Sequence, residues 1–146
     1  MSDQEKFYNK ILIMADFTAT STPAFYQGLQ LARFFASECH VLYVSEPIGG
    51  FESSLSIKQK ATDFKKLEDH VKWRVDELYE KKGAEAVDRR KIKTVILAGK
   101  PFKKGVEYAK ENNIDLIIMG QGKPSTSHML LGSQSERVVK LAHCDV

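Results

Sequence analysis

Four short apolar runs alternate with helical patterns along this chain, and this alternation constrains the fold more than any other feature. Each run has the length and residue content of a buried strand. The runs lie at residues 11–15, 40–44, 92–98 and 116–119. An order of β-α-β-α-β-α-β-α predicts one parallel sheet with helices on both faces and right-handed crossovers. We therefore predict a single, doubly wound α/β domain.

Apolar residues at helical spacing predict the first two helices. The first helix contains Pro23 in its opening turn, and we expect Phe34 and Phe35 to widen its inner face. The second is a long amphipathic helix over 57–82 that ends at Gly83. The predicted inner residues are Phe25, Leu29, Ala32 and Ala36 in the first helix and Phe64, Leu67, Val71, Val75 and Leu78 in the second.

The second half of the chain contains two shorter helical patterns. They predict helices over 102–112 and 134–141. Residues 144–146 follow the last helix and have the pattern of a fifth strand that is cut short.

The two cysteines, Cys39 and Cys144, each stand beside a histidine. Neither pair has the close ligand spacing of a zinc motif, and both lie where strands are predicted to begin. We expect buried free thiols and no metal site.

The composition excludes several classes of protein. Hydrophobic residues make up 42% of the chain and charged residues 28%, as in globular proteins. No apolar run approaches the roughly 18–20 residues of a spanning helix, and the N-terminus lacks the apolar stretch of a secretory signal. A cytoplasmic location without a membrane partner is therefore expected. The net charge is only +3 with scattered lysines, which argues against a nucleic-acid partner.

Glycines and polar residues follow the first and fourth strands. Asp16 comes directly after the first strand, and open parallel sheets bind ligands at that edge. Gly120 and Gly122 follow the fourth strand, and Gly132–Ser133 opens the last helix. Because glycine backbone can approach a ligand closely and a helix N-terminus attracts anions, we hypothesise that this loop holds the ribose and phosphates of a nucleotide. The alternative is that the glycines only shape a turn and that Asp16 is a cap or turn residue.

Several segments together resemble the universal stress protein family. The opening KILIMADFT is similar to the family's first strand with its closing aspartate, and NIDLIIMG is similar to its fourth strand. Gly122, nine intervening residues and Gly132–Ser133 are similar to the second half of the family's nucleotide motif, and residues 135–138 continue like its last helix. The resemblance covers nearly the whole chain and implies one universal-stress-protein-like domain over residues 1–146.

The resemblance implies a Rossmann-like sheet of the adenine-nucleotide-binding type. The implied strand order is 3-2-1-4-5, with the fifth strand truncated in this chain. Family members commonly form homodimers through that strand, so a homodimer is expected. In this order strands two and five are roughly 14 Å apart. A disulfide between Cys39 and Cys144 of one chain is therefore not expected.

The resemblance also implies the ligand contacts. Asp16 would meet the adenine, and Tyr43 or Val44 would line its pocket. The residues around the fourth strand and the last helix would contact the ribose and the phosphates. The complete expected set of nucleotide-binding residues is Asp16, Tyr43, Val44, Met119, Gly120, Gly122, Lys123, Gly132, Ser133 and Gln134.

One feature departs from the family pattern. Only Gln121 separates Gly120 from Gly122, whereas nucleotide-binding members usually place two residues there. The deletion shortens the reach of the loop around the ribose. Binding would then either persist by rearrangement or be lost.

The resemblance implies a cytoplasmic stress-response protein that binds ATP or a related adenine nucleotide as a regulatory ligand, with Mg²⁺ or without it. The alternative is the same fold without a nucleotide, acting as a dimeric module that binds other proteins. No catalytic residues are predicted, because the sequence contains neither a GxxxxGK[ST] phosphate loop nor an HxGH motif. A weak ATPase is the most activity that we expect.

Overall fold

The structure is a computed structural model that describes residues 7–19, 21–46, 57–82, 87–122 and 132–146. Its elements follow the predicted alternation, with a short 3₁₀ turn, Arg89–Lys91, before the third strand. The strands are β1 (Lys10–Met14), β2 (Glu38–Ser45), β3 (Ile92–Ala98) and β4 (Leu116–Met119). The helices are α1 (Ser21–Phe35), α2 (Ile57–Lys82), α3 (Pro101–Glu111) and α4 (Ser133–Leu141).

All four strands lie in one parallel sheet with the order β3-β2-β1-β4. This confirms the predicted α/β fold and the order of its first four strands. Met14 pairs with Leu42 of β2 and with Met119 of β4, so the carboxyl ends of these strands meet at one edge of the sheet. Within the described residues no fifth strand forms. Asp145 makes one isolated parallel bridge beside β4, where its carbonyl accepts the Ile117 N–H at 2.9 Å.

The sheet is covered on both faces, which explains why its strands read as continuous apolar runs. Successive residues of β1 point to opposite faces, so Ile11 and Ile13 pack with α1 and α2 while Leu12 and Met14 pack with α3 and α4. Ile11, Leu12 and Ile13 are fully buried. The first core adds Phe25, Leu29, Val75 and Leu78, and the second adds Leu42, Tyr108, Ile117 and Val138.

The prediction for the end of α1 was wrong. Phe34 is 81% exposed, although it was expected to widen the inner face. It follows Phe25 by nine residues, which at about 100° per residue places it on the opposite side of the helix. Ala36 is exposed as well, because α1 ends at Phe35 and Ala36 adopts a left-handed conformation with a φ of 54°. The Ser37 N–H then donates to the Ala32 carbonyl and closes the helix.

The long helix α2 has the predicted bounds and inner face. Val71, Val75 and Leu78 are buried, while Phe64 and Leu67 at its other end are only partly covered. Gly83, the predicted stop, lies outside the described residues. Of the helices that the structure describes, none is both long and apolar enough to cross a membrane.

Both cysteines are free thiols, as expected. Cys39 is buried in β2, and that burial raises the pKa of its thiol to about 12. Cys144 is only half-buried, which corrects the expectation that both would be enclosed.

Candidate functional site

A cleft of about 450 Å³ opens at the carboxyl edge of the sheet. It lies where β1, β2 and β4 end and where α3 and α4 begin, the usual ligand position in an open parallel sheet. The cleft is lined by Met14, Ala15, Asp16, Ser21, Leu42, Tyr43, Val44, Glu46, Pro101, Met119, Gly120, Gly122, Gly132, Ser133, Gln134 and Ser135. The structure therefore brings together every predicted site residue that it describes. Lys123 lies outside the described residues.

One wall of the cleft is apolar. Met14, Leu42, Val44 and Met119 all belong to the sheet face that α3 and α4 cover. The register between β1 and β2 ends at Met14 and Leu42, whereas β2 continues along β3 as far as Ser45. The side of β2 that faces β1 therefore borders the cleft beyond Leu42. Such a wall suits a flat, largely apolar ring with polar edges.

Asp16 supplies a carboxylate to the cleft just after β1. Its Oδ1 accepts the Thr18 N–H at 3.0 Å and the Thr18 hydroxyl at 2.6 Å. The Asp16 N–H donates in turn to the Ser21 Oγ at 3.3 Å. Partial burial opposes ionisation, but hydrogen bonds from Ser21 and Thr18 outweigh it and hold the pKa of Asp16 below its ordinary value. The cleft thus contains a fixed, ionised acceptor near neutral pH.

Phe17, next to Asp16, has an unusual backbone conformation. Its φ is 62°, in the left-handed region that bulky side chains rarely adopt and that costs of order 1–3 kcal/mol. Its ring stacks on the ring of Tyr43 with a centroid separation of 5.9 Å and an interplanar angle of 15°. The Arg74 guanidinium of α2 lies 6.0 Å from the centroid of the same ring.

The glycine loop after β4 is tied to the start of α4. The Gly132 N–H donates to the Gln121 carbonyl at 2.7 Å. The buried Ser135 hydroxyl lies 2.8 Å from the Gly120 carbonyl and 2.9 Å from the Gln121 carbonyl, so its one proton is shared between two acceptors. Gly122 has a φ of 73°, and a Cβ at this position would lie 3.4 Å from the Gly132 Cα. The positive φ therefore favours glycine where the loop meets the helix.

The first turn of α4 presents backbone donors to the cleft. The first bond within the helix joins the Glu136 N–H to the Gly132 carbonyl, so the N–H groups of Ser133, Gln134 and Ser135 precede the intrahelical ladder. The Gln134 side chain is also tied to α3, because its Oε1 accepts the Phe102 N–H at 3.0 Å.

The charge of the described lining is negative. It contains two carboxylates, Asp16 and Glu46, and no lysine or arginine. Among the described residues no group of three His, Cys, Asp or Glu side chains could hold a metal ion. Among the described residues of the cleft, the groups that could meet a phosphate are the N–H groups of α4.

Comparison with known proteins identifies the family. The model of the universal stress protein family matches residues 7–146. The chain belongs to the universal stress protein family. It is 32% identical to universal stress protein MJ0531 of Methanocaldococcus jannaschii over 153 residues, covering 97% of this chain and 82% of that protein.

Solved structures of universal stress proteins have the same fold. The universal stress protein UspA from Lactobacillus plantarum superposes with a TM-score of 0.70 at 26% identity, covering 95% of each chain. A universal stress protein in complex with cAMP superposes with a TM-score of 0.71 at 21% identity, covering 95% of this chain and 94% of that one. At that identity the second likeness concerns the fold alone.

In this member of the family, sequence reasoning missed several residues of the cleft. Ser21 and Ser135 are both 4% exposed and hold the β1 and β4 loops in place. Ser21 falls in a hydroxyl-rich stretch and Ser135 in the family's helix motif, so both gave a signal that could have been used. Glu46 and Pro101 gave none, because only the sheet register brings them to the cleft.

Proposed function

We propose that the protein binds ATP or a related adenine nucleotide in this cleft, as a regulatory ligand of a cytoplasmic stress response. The observation that carries the proposal is the convergence of an ionised carboxylate after β1, an apolar wall and the first turn of α4 on one cleft. Its volume of about 450 Å³ falls within the range of roughly 300–1,000 Å³ typical of ligand sites.

Each part of the cleft suits one part of the nucleotide. The adenine ring would lie against Met14, Val44 and Met119, with its polar edge toward the exposed side of β2 and toward Asp16. The ribose would lie over Gly120 and the phosphates at the first turn of α4. A helix N-terminus favours an adjacent anion by roughly 0.3–1 kcal/mol, and each charge-assisted hydrogen bond adds about 1.5–3 kcal/mol.

The negative lining makes the phosphate charge important. Asp16 and Glu46 would repel a triphosphate that carries no cation. Mg²⁺ bound to the phosphates would reduce this repulsion. We therefore expect ATP to bind more tightly with Mg²⁺ than without it, while adenosine responds little to the metal.

The comparison with solved structures supports the choice of ligand at the level of the fold. A universal stress protein of the same architecture has been solved with cAMP, so this architecture accommodates an adenine nucleotide. Family membership supports the stress-response role.

The test is ligand-induced stabilisation of the purified protein. Adenosine, AMP, cAMP and ATP are added at millimolar concentration, with and without Mg²⁺, to the wild type and to Asp16→Asn. A ligand at 100 times its dissociation constant stabilises by about 2.7 kcal/mol, which raises the melting temperature of a domain of this size by roughly 5–10 °C. The shift given by adenosine, which carries no phosphate and so does not feel the repulsion, should shrink in Asp16→Asn and persist in Glu80→Gln, which changes an exposed carboxylate on α2.

The same assay distinguishes the alternative function. If no adenine nucleotide shifts the melting temperature, the nucleotide-binding proposal fails. The fold would then be better explained as a dimeric protein-interaction module, and light scattering would establish the oligomeric state on which that explanation depends.

A further inference from the structure

We propose that Phe17 is a positioning residue of the cleft, whose backbone turns Asp16 toward the ligand and whose ring supports the Tyr43 wall. This inference rests on the proposed function, since the ligand in question is the adenine nucleotide. It assigns a role to a residue that contacts the cleft only through its neighbours.

The backbone role follows from the turn after β1. Both the N–H and the hydroxyl of Thr18 reach back to the Asp16 Oδ1, at 3.0 and 2.6 Å. A side chain that bonds the backbone two residues ahead forms an Asx turn, whose shape depends on the dihedral angles of the residue in between. Phe17 is that residue, and its φ of 62° sets the path of the chain from Asp16 to Thr18. The conformation of Phe17 therefore helps to hold the Asp16 carboxylate beside Thr18.

The ring role follows from the contacts on its two sides. Tyr43 stacks on the Phe17 ring at 5.9 Å, and Tyr43 is itself part of the cleft lining. The Arg74 guanidinium lies 6.0 Å from the same ring and forms an ion pair with Glu77 at 3.1 Å. The half-buried ring also packs against the core under α1 and α2. Phe17 thus connects the cleft wall to the long helix.

A phenylalanine at this position is explained neither by the turn alone nor by core packing alone. A residue needed only for the turn would be glycine or asparagine, which adopt a positive φ at low cost. A residue needed only for packing would have no reason to adopt that conformation. Phe17 combines a strained backbone with a ring that has defined partners, and such strain persists where the surroundings over-determine it.

Three substitutions test the two roles separately. Phe17→Gly keeps the turn and removes the ring. Phe17→Val also removes the ring but in addition disfavours the turn, because a β-branched residue resists a positive φ, so it differs from Phe17→Gly in the backbone role. Phe17→Tyr keeps both and serves as the matched control. For each, the Asp16 carboxyl is titrated by ¹³C NMR, the Tyr43 ring signals are recorded, and the dissociation constant for ATP with Mg²⁺ is measured by calorimetry.

The expected results differ among the variants. Phe17→Gly leaves the pKa of Asp16 below its ordinary value, shifts the Tyr43 signals and weakens ATP binding at least tenfold. Phe17→Val raises the pKa of Asp16 toward its ordinary value and weakens ATP binding by at least as much. Phe17→Tyr binds within about twofold of the wild type. Urea unfolding establishes that each variant is folded.

Two results would overturn the inference. Wild-type affinity in Phe17→Gly would remove the ring role, and an unchanged Asp16 titration in Phe17→Val would remove the backbone role. If the wild type binds no adenine nucleotide, the proposed function fails by itself. The NMR measurements on the free protein then decide the positioning role, which is overturned if neither the Asp16 pKa nor the Tyr43 signals respond.

Discussion

Ser135→Ala tests whether the glycine loop is held against α4 by one buried hydroxyl. The Ser135 side chain is 4% exposed and shares its proton between the Gly120 and Gln121 carbonyls, at 2.8 and 2.9 Å. After the substitution Gln121 retains the Gly132 N–H at 2.7 Å, whereas Gly120 loses the hydroxyl that its carbonyl accepts. The loop would therefore loosen at Gly120.

The magnitude follows from two opposing contributions. An acceptor left without its donor costs about 1–3 kcal/mol when it is buried, and Gly120 is half-buried at the cleft, which favours the lower end of that range. Alanine is a better helix former than serine by roughly 0.5 kcal/mol, which offsets part of that loss. The free energy of unfolding should fall by about 0.5–2.5 kcal/mol. With a urea m-value of about 2 kcal/mol/M, the midpoint of unfolding should fall by roughly 0.3–1.2 M.

Ser133→Ala is the matched control on the same helical turn. Ser133 is exposed, so its substitution should change the free energy of unfolding by less than about 0.5 kcal/mol. Under the proposed function both variants bind ATP more weakly, Ser133→Ala by loss of a phosphate contact and Ser135→Ala by movement of the loop. Urea unfolding and calorimetry measure the two effects. An unchanged urea midpoint in Ser135→Ala, or an equal loss of stability in both variants, would contradict the reasoning.

Four further substitutions test other parts of the fold. Ala36→Gly should raise the free energy of unfolding in urea by about 0.5–1 kcal/mol, because Ala36 has a φ of 54°. Asn113→Gly, at the same φ, should raise it by less, because asparagine tolerates that region. Tyr108→Phe should cost about 1–3 kcal/mol in the same assay, since it leaves the buried His40 Nδ1 without the hydroxyl that lies 2.7 Å away. The hydrogen bond from His40 lowers the pKa of Glu38. The ionised Glu38 therefore stabilises the folded protein fully above the ordinary glutamate pKa, and this stabilisation is lost as the pH falls through the lowered pKa. Glu38→Gln should therefore flatten the acid side of a plot of urea midpoint against pH.

The positions of the strands and the location of the cleft could be predicted from the sequence because they depend on local patterns. Each strand is an apolar run between breaks, and parallel strands bring their carboxyl ends to one edge. Three cleft residues lie at or next to the end of such a run: Asp16, Tyr43 and Met119. Predicting that they meet in one cleft therefore required only the strand order.

The side-chain contacts that shape the cleft join residues that are distant in the sequence, so no local sequence pattern predicts them. The Gln134 side chain caps α3 through Phe102, a partner 32 positions away in the sequence. The left-handed conformation of Phe17 goes against the preference of its residue type. The ring that stacks on Phe17 belongs to Tyr43 of β2, which is distant in the sequence. Phe34 was misjudged for a different reason: it follows Phe25 by nine residues and so lies on the opposite side of α1.

The shortened glycine spacing can now be understood in the same physical terms. A loop with one residue fewer between its glycines has less length to extend over a ligand, but the hydrogen bond from the Gly132 N–H to Gln121 draws it onto the start of α4. Gly122 adopts the positive φ that this path requires, and a Cβ added there would lie 3.4 Å from the Gly132 Cα. The donors of α4 consequently remain at the end of β4, beside the apolar wall. Under the proposed function, the shorter spacing would reduce the reach of the loop around the ribose, while the N–H groups of α4 would still face the phosphates. A nucleotide should therefore depend on its base and phosphates more than on its ribose hydroxyls for affinity.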